Sequence, residues 1–510
     1  MLTDTTVIVF ALILALAGCY RLRAVRLPLP PGPKGYPVIG NLFDMPFEQQ
    51  WVKYREWAKR YNSDIIHLRV LGNSIVVLNS QKAANDLLSV RSRLYSDRSV
   101  STMINELLGW GGMVSLMPYG HAWRTRRRAI WQEFNPDRSV NHRPKQLRHA
   151  RDLLRRLLKT PQAFLHHIDH TLAASMFAVA YGIDVKAEHD PHLARSEKAF
   201  RQLQKAAISG SYMVDFVPVL KYVPSWIPGA GFKAYADRVR ADTIAMIDGQ
   251  YEEGCRLIQE GREEPSLLSR MLAGRPSGGG IHDLLDIKFI KDVTSQVYGG
   301  GAETSHAALS SFVAAMVLYP DVQRKGQEEI EALAFSRLPT FEDLPHLPYV
   351  HAIMLEILRW QSILPLGIAH RLTVDDEYNG YLIPKGSIVF ANIWAILQDE
   401  AQYRDPDTFN PERFLKDGQV DAKLADPLPN FGFGRRICPG RFFAMDSLWI
   451  SMASILATFN IAKAKGEHGR DIEPDIRWIP GFSRHLAPFP CSITPRSQEA
   501  VKLIQDSESV

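Results

Sequence analysis

The residues best placed to do chemistry lie in one short segment, Phe431 to Arg441, with the sequence FGFGRRICPGR. Cys438 gives it a sulfur, which as a thiolate is a strong ligand for a soft or redox-active metal. Gly434 lets the backbone pass close to a flat macrocycle, because no side chain stands in the way, and Arg436 is placed to reach a carboxylate on the rim of such a ring. Pro439 fits the first turn of a helix beginning near Gly440, where the donor it lacks would have no partner anyway. Cys438 therefore stands at a helix N-terminus, and the positive end of that helix is expected to keep the thiol pKa low. A lone cysteine in a turn is usually buried and inert. Four compatible features at fixed spacing make that the weaker reading here.

Three other groupings bear on the same chemistry. GGAETS, Gly300 to Ser305, sits inside a long helical pattern; its glycines weaken the helix and the Thr304 hydroxyl can compete for the Gly300 carbonyl, so a local widening is expected. Glu303 beside it adds an acid, and the two could pass protons to a reacting group. Taken alone, small residues in a helix more often mean close packing. Glu356 and Arg359 share a helix face at i and i+3, with Arg413 following in PERF, Pro411 to Phe414; by chance such a pair is usually solvated. Trp123 and Arg127 lie one helical turn apart, and His370 follows the apolar ILPLGIA, Ile363 to Ala369. Without the other motifs, Trp123 in the core and Arg127 at the surface would be the simpler reading.

In their order along the chain these motifs resemble the cytochrome P450 monooxygenases, and the resemblance covers essentially the whole sequence. Phe431, Gly434, Arg436, Cys438, Gly440 and Ala444 stand on the pattern of that family's heme-binding loop. The resemblance implies a mainly α fold with a small β portion, heme b with its iron bound by the Cys438 thiolate, and propionates contacted by Trp123, Arg127, His370 and Arg436. It implies that Glu303 and Thr304 deliver protons during oxygen activation, and that Glu356, Arg359 and Arg413 form a buried structural network. One oxygen atom of O2 would enter an unactivated C–H bond of a lipophilic small molecule. Its pocket would be lined from Ile363 to Ile368, by the long helix near Ala302, by the stretch after Arg98 and near Phe482.

Electrons would come from an NADPH-cytochrome P450 reductase, with cytochrome b5 as a second donor, since the chain has no GxGxxG fingerprint or phosphate loop of its own. Arg124, Arg126, Arg128, Arg435 and Arg441 would form the basic docking face. The sequence looks like fungal microsomal members that serve secondary metabolism, which points to terpenoids or polyketides as substrates. One alternative is a heme-thiolate isomerase or dehydratase acting on peroxides without a reductase; the Glu303 and Thr304 pair argues against it. A non-catalytic heme carrier is another. His166, Asp169 and His170, in HHIDH, have the spacing of a metal hydrolase, yet no complementary ligand cluster is recognisable elsewhere.

Such a set of residues needs a large scaffold, and the composition provides one. With 510 residues, 46% hydrophobic and 23% charged, the chain is neither disordered nor fibrous in type. No shift in composition marks a second unit, so one large domain, residues 42–510, is expected behind an anchor (1–26) and a proline-rich hinge (27–41). The net charge of +5 is small beside 60 basic and 55 acidic residues, and without a long basic run nucleic acid is not an expected partner. Four scattered cysteines, Cys19, Cys255, Cys438 and Cys491, do not suggest a disulfide framework.

Thr5 to Tyr20 carries no charge, and its Val, Ile, Leu and Phe residues favour insertion into a bilayer by about 2 to 5 kcal/mol. Asp4 precedes this run while Arg21, Arg23 and Arg26 follow it, the reverse of a secretory signal. A single-pass anchor in the endoplasmic reticulum membrane with a cytosolic body is therefore expected. Further along, Ile65 to Asn79 reads as a hairpin turning at Gly72-Asn73, and Tyr381 to Asn392 as strand. A long helix is expected from about Ile287 to Leu318, ~48 Å in length, after the flexible RPSGGG at Arg275 to Gly280. Tyr212 to Phe232, apolar, aromatic and broken by prolines, reads as a substrate lid that dips into the membrane.

Overall fold

The computed structural model describes residues 27–507 apart from 47, 208–210, 263, 275–280, 335, 426–427, 480 and 482. The expected anchor at residues 1–26, the RPSGGG segment and Phe482 therefore lie outside the described residues. No described helix is long and apolar enough to cross a membrane.

The fold is mainly helical, as expected. The longer helices are α1 (Gln50–Tyr61), α2 (His121–Phe134), α3 (Arg143–Lys159), α4 (Phe164–Ala180), α5 (Pro191–Ala206), α6 (Gly231–Gln259), α7 (Ile281–Leu318), α8 (Pro320–Ala334), α9 (Pro348–Trp360) and α10 (Arg441–Thr458). α7 has 38 residues, about 57 Å of helix, and packs against α2, α4, α9 and α10. It begins six residues before the expected Ile287, directly after the glycine run. Val293, Leu309, Phe312, Ala314 and Val317 are all buried, which covers every side of the helix and suits an element enclosed by others. Its buried Thr294 and Ser311 hydroxyls donate to the carbonyls of Ile290 and Ala307, so neither is left without a partner.

The main sheet has five strands, β1 (Ile65–Val70), β2 (Asn73–Leu78), β3 (Asp97–Arg98), β4 (His370–Arg371) and β5 (Ile388–Ala391), in the order β1-β2-β5-β4-β3. β2 and β5 run parallel and the other pairs antiparallel. The expected hairpin is present, but it turns at Leu71-Gly72, not Gly72-Asn73. Both turn residues have positive φ (46° and 85°), the combination whose twist matches the flanking strands. The run expected as one strand from Tyr381 to Asn392 is two. Tyr381–Ile383 pairs with Asp376–Tyr378 in a separate hairpin, Pro384 follows with no donor to offer a ladder, and Gly386 (φ 83°) redirects the chain into β5. The proline-rich strip lies against these strands: His67 N–H donates to the Pro31 carbonyl (2.9 Å) and Leu382 N–H to that of Pro28 (2.8 Å).

Glu356, Arg359 and Arg413 form the buried network the sequence suggested. The Glu356 carboxylate accepts from Arg359 Nε (2.7 Å) and Nη2 (2.8 Å), from Arg413 Nε (3.1 Å) and from the Asn410 amide (2.9 Å). Arg359 also donates to the Leu397 carbonyl and Arg413 to those of Arg404 and Thr408, so the network ties α9 to two distant loops. Glu356 and Arg359 have no exposed side-chain surface, which makes this one carboxylate the counter-charge for two guanidiniums. Removing it leaves buried positive charge uncompensated, at a cost of about 3 to 5 kcal/mol. Glu356→Ala is therefore expected to lower the unfolding free energy measured in urea by that amount, and with it the midpoint, with Glu356→Gln intermediate because it keeps the acceptor oxygen. A midpoint unchanged in both variants would contradict the account.

Candidate active site

A cavity of about 700 Å³ runs between α7 and the Cys438 segment, and its wall holds Trp123, Arg127, Glu303, Thr304, His370, Arg436 and Cys438 together. All seven residues singled out from the sequence, drawn from four separate stretches, thus meet in one place.

The cysteine segment is a closed loop. Cys438 N–H donates to the Phe431 carbonyl (2.7 Å), a short 3-10 turn spans Gly434–Arg436 between them, and α10 follows from Arg441. Burial pushes the Cys438 thiol up and prevails over the Gly440 amide and the charges of Arg127 and Arg441, which pull it down. The low pKa expected from the helix end is therefore not what the chain by itself produces. The regular helix starts three residues beyond the sulfur, and a helix dipole fades within a turn. A coordinated cation reverses the balance, since a ligating thiol is deprotonated outright. Gly434 also differs from expectation. Its φ is +52°, and a Cβ there would collide with the Leu88 carbonyl, so glycine is needed to seat the turn on the Asn85–Val90 segment and not to approach the cavity.

The same cavity wall holds a group of largely buried cations. Arg436 donates to the carbonyls of Ser96 (2.7 Å) and Met117 (2.8 Å), and its guanidinium lies 4.2 Å from the centre of the Trp123 ring. Burial lowers both Arg436 and Arg127 to about 10. The sequence reading used Arg98 only as a landmark, yet it belongs to the same wall. Its side chain donates to the carbonyls of Ser115 (3.1 Å), Ile368 (2.6 Å) and Ala369 (3.1 Å), and burial together with the Arg436 charge holds it well below its usual value. Nothing in the local sequence marks Arg98. The β3–β4 register does, because it pairs Arg98 with His370.

His370 Nδ1 lies 2.7 Å from the Tyr95 carbonyl, which can only accept, so that nitrogen carries the proton. Burial, and then the Arg98 charge, keep the ring neutral. Among the described residues, none of Arg98, Arg127 and Arg436 has a carboxylate ion-pair partner. Three half-desolvated cations at one end of a cavity, facing a sulfur held by a backbone amide, fit a heme: its two propionates supply the missing anions and its iron the missing cation.

On α7 the Thr304 hydroxyl donates to the Gly300 carbonyl (2.8 Å), as expected. The widening does not accompany it, and α7 is regular α-helix from end to end. A carbonyl has two lone pairs, so the hydroxyl shares this acceptor without displacing the helical bond. The glycines divide in role. A Cβ at Gly299 would strike Phe200 and one at Gly301 would strike Met176, so those two serve close packing; at Gly300 the nearest obstacle is Gln296 Nε2 at 3.2 Å, across the cavity wall. Glu303 is held by His485 Nε2 (2.8 Å) and by the Gln204 amide, with Ser483 Oγ 2.9 Å from the same ring nitrogen. Burial pushes its carboxyl up, but the hydrogen bond and charge of His485 prevail and leave it below the usual range. Gln204 and His485 come from remote segments, and no sequence signal pointed to them.

In HHIDH, His170 Nε2 is bonded to the Lys186 carbonyl (2.8 Å) and His167 to Thr160. Among the described residues, no three His, Cys, Asp or Glu side chains are grouped to hold a metal ion by themselves. Arg126 does not join the exposed arginines, because Asp292 binds it at 2.8 Å in a buried pair, whereas Arg124, Arg128 and Arg435 are exposed.

The Tyr212–Phe232 segment folds as two 3-10 turns, Met213–Asp215 and Pro218–Tyr222, leading into α6. Asp215 accepts from Ser101 Oγ (2.8 Å) and the Met103 amide (2.9 Å), capping the π-helical turn Thr102–Leu107, whose Ile104 and Asn105 line the cavity. The expected lid is thus latched to the cavity wall. Met213, Val219, Tyr222 and Trp226 remain exposed on its outer side.

The sequence model of the Cytochrome P450 family matches residues 30–486. Among similar proteins, the cytochrome P450 monooxygenase ple1 of Rhodocybe pseudopiperita is 40% identical over 94% of this chain and 91% of its own length. Tryptamine 4-monooxygenase of Psilocybe cyanescens is 41% identical over 98% of this chain and 99% of its own, and the cytochrome P450 monooxygenase claR of Ampulloclitocybe clavipes is 38% identical over 99% and 93%.

Losing a side-chain cap typically costs about 1 kcal/mol. Asp215→Ala is accordingly expected to speed backbone amide exchange at residues 102–107 and 212–222 by about fivefold, while α10 exchanges as before. Unchanged exchange across both segments would mean that Asp215 is not the latch.

Proposed function

This chain belongs to the cytochrome P450 family and is a heme-dependent monooxygenase, and we propose that it inserts one oxygen atom from O2 into a lipophilic small molecule of fungal secondary metabolism, such as a terpenoid or polyketide. The observation that carries the assignment of residues is the meeting of Cys438, the cations Arg98, Arg127 and Arg436, and the Glu303 and Thr304 pair around one cavity. Bound there, the heme supplies iron redox chemistry with thiolate-assisted cleavage of the O–O bond. Cys438 Sγ, kept in place by the Gly440 amide, would bind the iron. Arg98, Arg127 and Arg436 would hold the propionates, with Trp123 stacked beneath Arg436; a carboxylate brought to His370 Nε2 would draw a proton onto that nitrogen and make it a donor too.

Thr304 faces the cavity with its proton on the Gly300 carbonyl, leaving its lone pairs free to accept a proton-bearing water, and Glu303 would supply the proton. Met113, Val114, Phe200, Ile363 and Leu364 give the substrate side an apolar lining that excludes water, so shape more than ion pairing would set affinity. A peroxide isomerase has no use for an acid and alcohol placed this way, which favours the monooxygenase that consumes protons.

P450 monooxygenases take electrons from a redox partner; for this chain the proposed donors are an NADPH-cytochrome P450 reductase and cytochrome b5, docking at the exposed Arg124, Arg128 and Arg435 near the cysteine loop. The proposed location is the endoplasmic reticulum membrane, with residues 1–26 as anchor and the catalytic domain cytosolic. Two exposed apolar groups support a membrane-facing side: Tyr36, Val38 and Phe43 on the proline-rich strip, and Val219, Tyr222 and Trp226 on the lid. Leu42 and Phe216, one from each group, pack on the same apolar cluster, so the two lie side by side.

Reduced protein with carbon monoxide is expected to show the red-shifted Soret band of thiolate ligation, and Cys438→Ser to lose it. A band retained in the variant would remove Cys438 from the iron. Thr304→Ala is expected to keep heme content and NADPH consumption while product per NADPH falls, by up to the ~10² to 10⁴-fold of a positioned proton-transfer group, and hydrogen peroxide rises. Measuring all three in a reconstituted reductase system tests this; unchanged coupling would take Thr304 out of the mechanism.

A further inference from the structure

Behind α7, on the side away from the large cavity, lies a second cavity of about 60 Å³, room for a few water molecules by the usual ~10 to 15 Å³ each. Its wall includes His166, Asp169, Ser196, Tyr298, Ala302 and Glu303. Glu303 also lines the large cavity, so its carboxylate is a wall the two share. His166 and Glu197, also on its wall, are exposed, and Asp169, with 38% of its side chain accessible, is close enough to Glu303 to feel its charge. We propose that this cavity is the path by which protons from bulk water reach Glu303, with Asp169 as the outer acid of the relay. The proposal rests on the reading of Glu303 and Thr304 given above.

Burial raises the Asp169 carboxyl, and the Glu303 charge raises it further, so Asp169 is the group that holds a proton at rest; transfer onto Glu303, held low by the His485 hydrogen bond, runs uphill and is drawn forward only as Glu303 passes its proton on. From α7, His306 Nδ1 stands 3.4 Å from an Asp169 oxygen, and burial lowers His306 to about 4, so it is neutral and positions Asp169 without carrying charge. On α4, His170 is committed to the Lys186 carbonyl and His166 opens to solvent. Gln204 and Glu197 on α5, and His485 from the C-terminal region, complete the charged and titratable groups facing the pair. In each transfer the Asp169 carboxylic acid gives its proton through water to the Glu303 carboxylate, and solvent reprotonates Asp169. No electron moves, and one proton enters per transfer.

Asp169→Asn, as full-length heme protein with reductase, is expected to keep heme content and the thiolate carbon monoxide spectrum. Product per NADPH is expected to fall about tenfold, short of the ~10²-fold or more of a group acting directly, with hydrogen peroxide rising to match. Ala173→Leu, which fills the cavity from α4 and leaves Asp169 in place, is expected to uncouple similarly, and it decides the matter if Asp169→Asn loses heme. Independently of turnover, the Asp169 carboxyl, followed by infrared titration as the difference between wild type and Asp169→Asn, is expected to titrate at lower pH once Glu303→Gln removes the neighbouring charge. Wild-type coupling in the cavity-filled variant, or an Asp169 titration indifferent to Glu303→Gln, overturns the relay. If Thr304→Ala uncouples while Ala173→Leu does not, the relay alone falls; if Thr304→Ala stays coupled, the reading beneath it falls as well.

Discussion

Three guanidiniums held in a cavity wall, with no carboxylate ion-pair partner among the described residues, are the constraint around which this protein is arranged. Desolvated positive charge is costly, and the chain meets part of that cost by aiming backbone carbonyls at Arg98 and Arg436 from the Ser96, Val114–Met117 and Ile368–Ala369 segments. That requirement orders much of the neighbourhood. β3 must pair with β4 to bring Arg98 beside His370, and the 3-10 turn at Gly434 must seat against Leu88 for Arg436 to reach Ser96. The remaining imbalance matches a dianionic rim such as the pair of propionates a heme would bring.

Comparison with Glu356, Arg359 and Arg413 makes the point sharper. There two guanidiniums are equally buried, but the chain provides its own carboxylate and closes the network. The first arrangement is built to be completed by a ligand and the second to be complete without one. Both are arginine-rich, both lie near the cysteine loop, and only the presence or absence of a counter-charge distinguishes a binding site from a structural tie.

α7 divides two environments. Gly300 and Thr304 face the large cavity, Ala302 faces a small one, and Glu303 lines both. Residues 303 and 304 are adjacent in sequence but about 100° apart around the helix, so an acid and an alcohol can face different compartments while remaining in contact range of one another. This is a direct consequence of helical geometry.

Much of this was legible from the chain alone, because the relevant constraints are local. The loop from Phe431 to Arg441 carries its turn residues, its ligand and its helix start within a few residues, and the Thr304 to Gly300 and Glu356 to Arg359 bonds follow from helix periodicity. Where the sequence misled, competing local forces were close in strength: burial against a helix dipole at Cys438, a shared carbonyl against a displaced one at Gly300, and Pro384 with Gly386 against a continuous strand pattern. What it could not contain were pairings between distant segments. Arg98 acquires its role only through the β3–β4 register, His485 and Gln204 reach Glu303 from opposite parts of the chain, and Asp215 finds the Thr102–Leu107 turn only once α6 is folded back over it. Composition and spacing determined the chemistry of this protein; tertiary packing decided which charges are left without partners, because desolvation is a property of the folded surroundings and not of the residue.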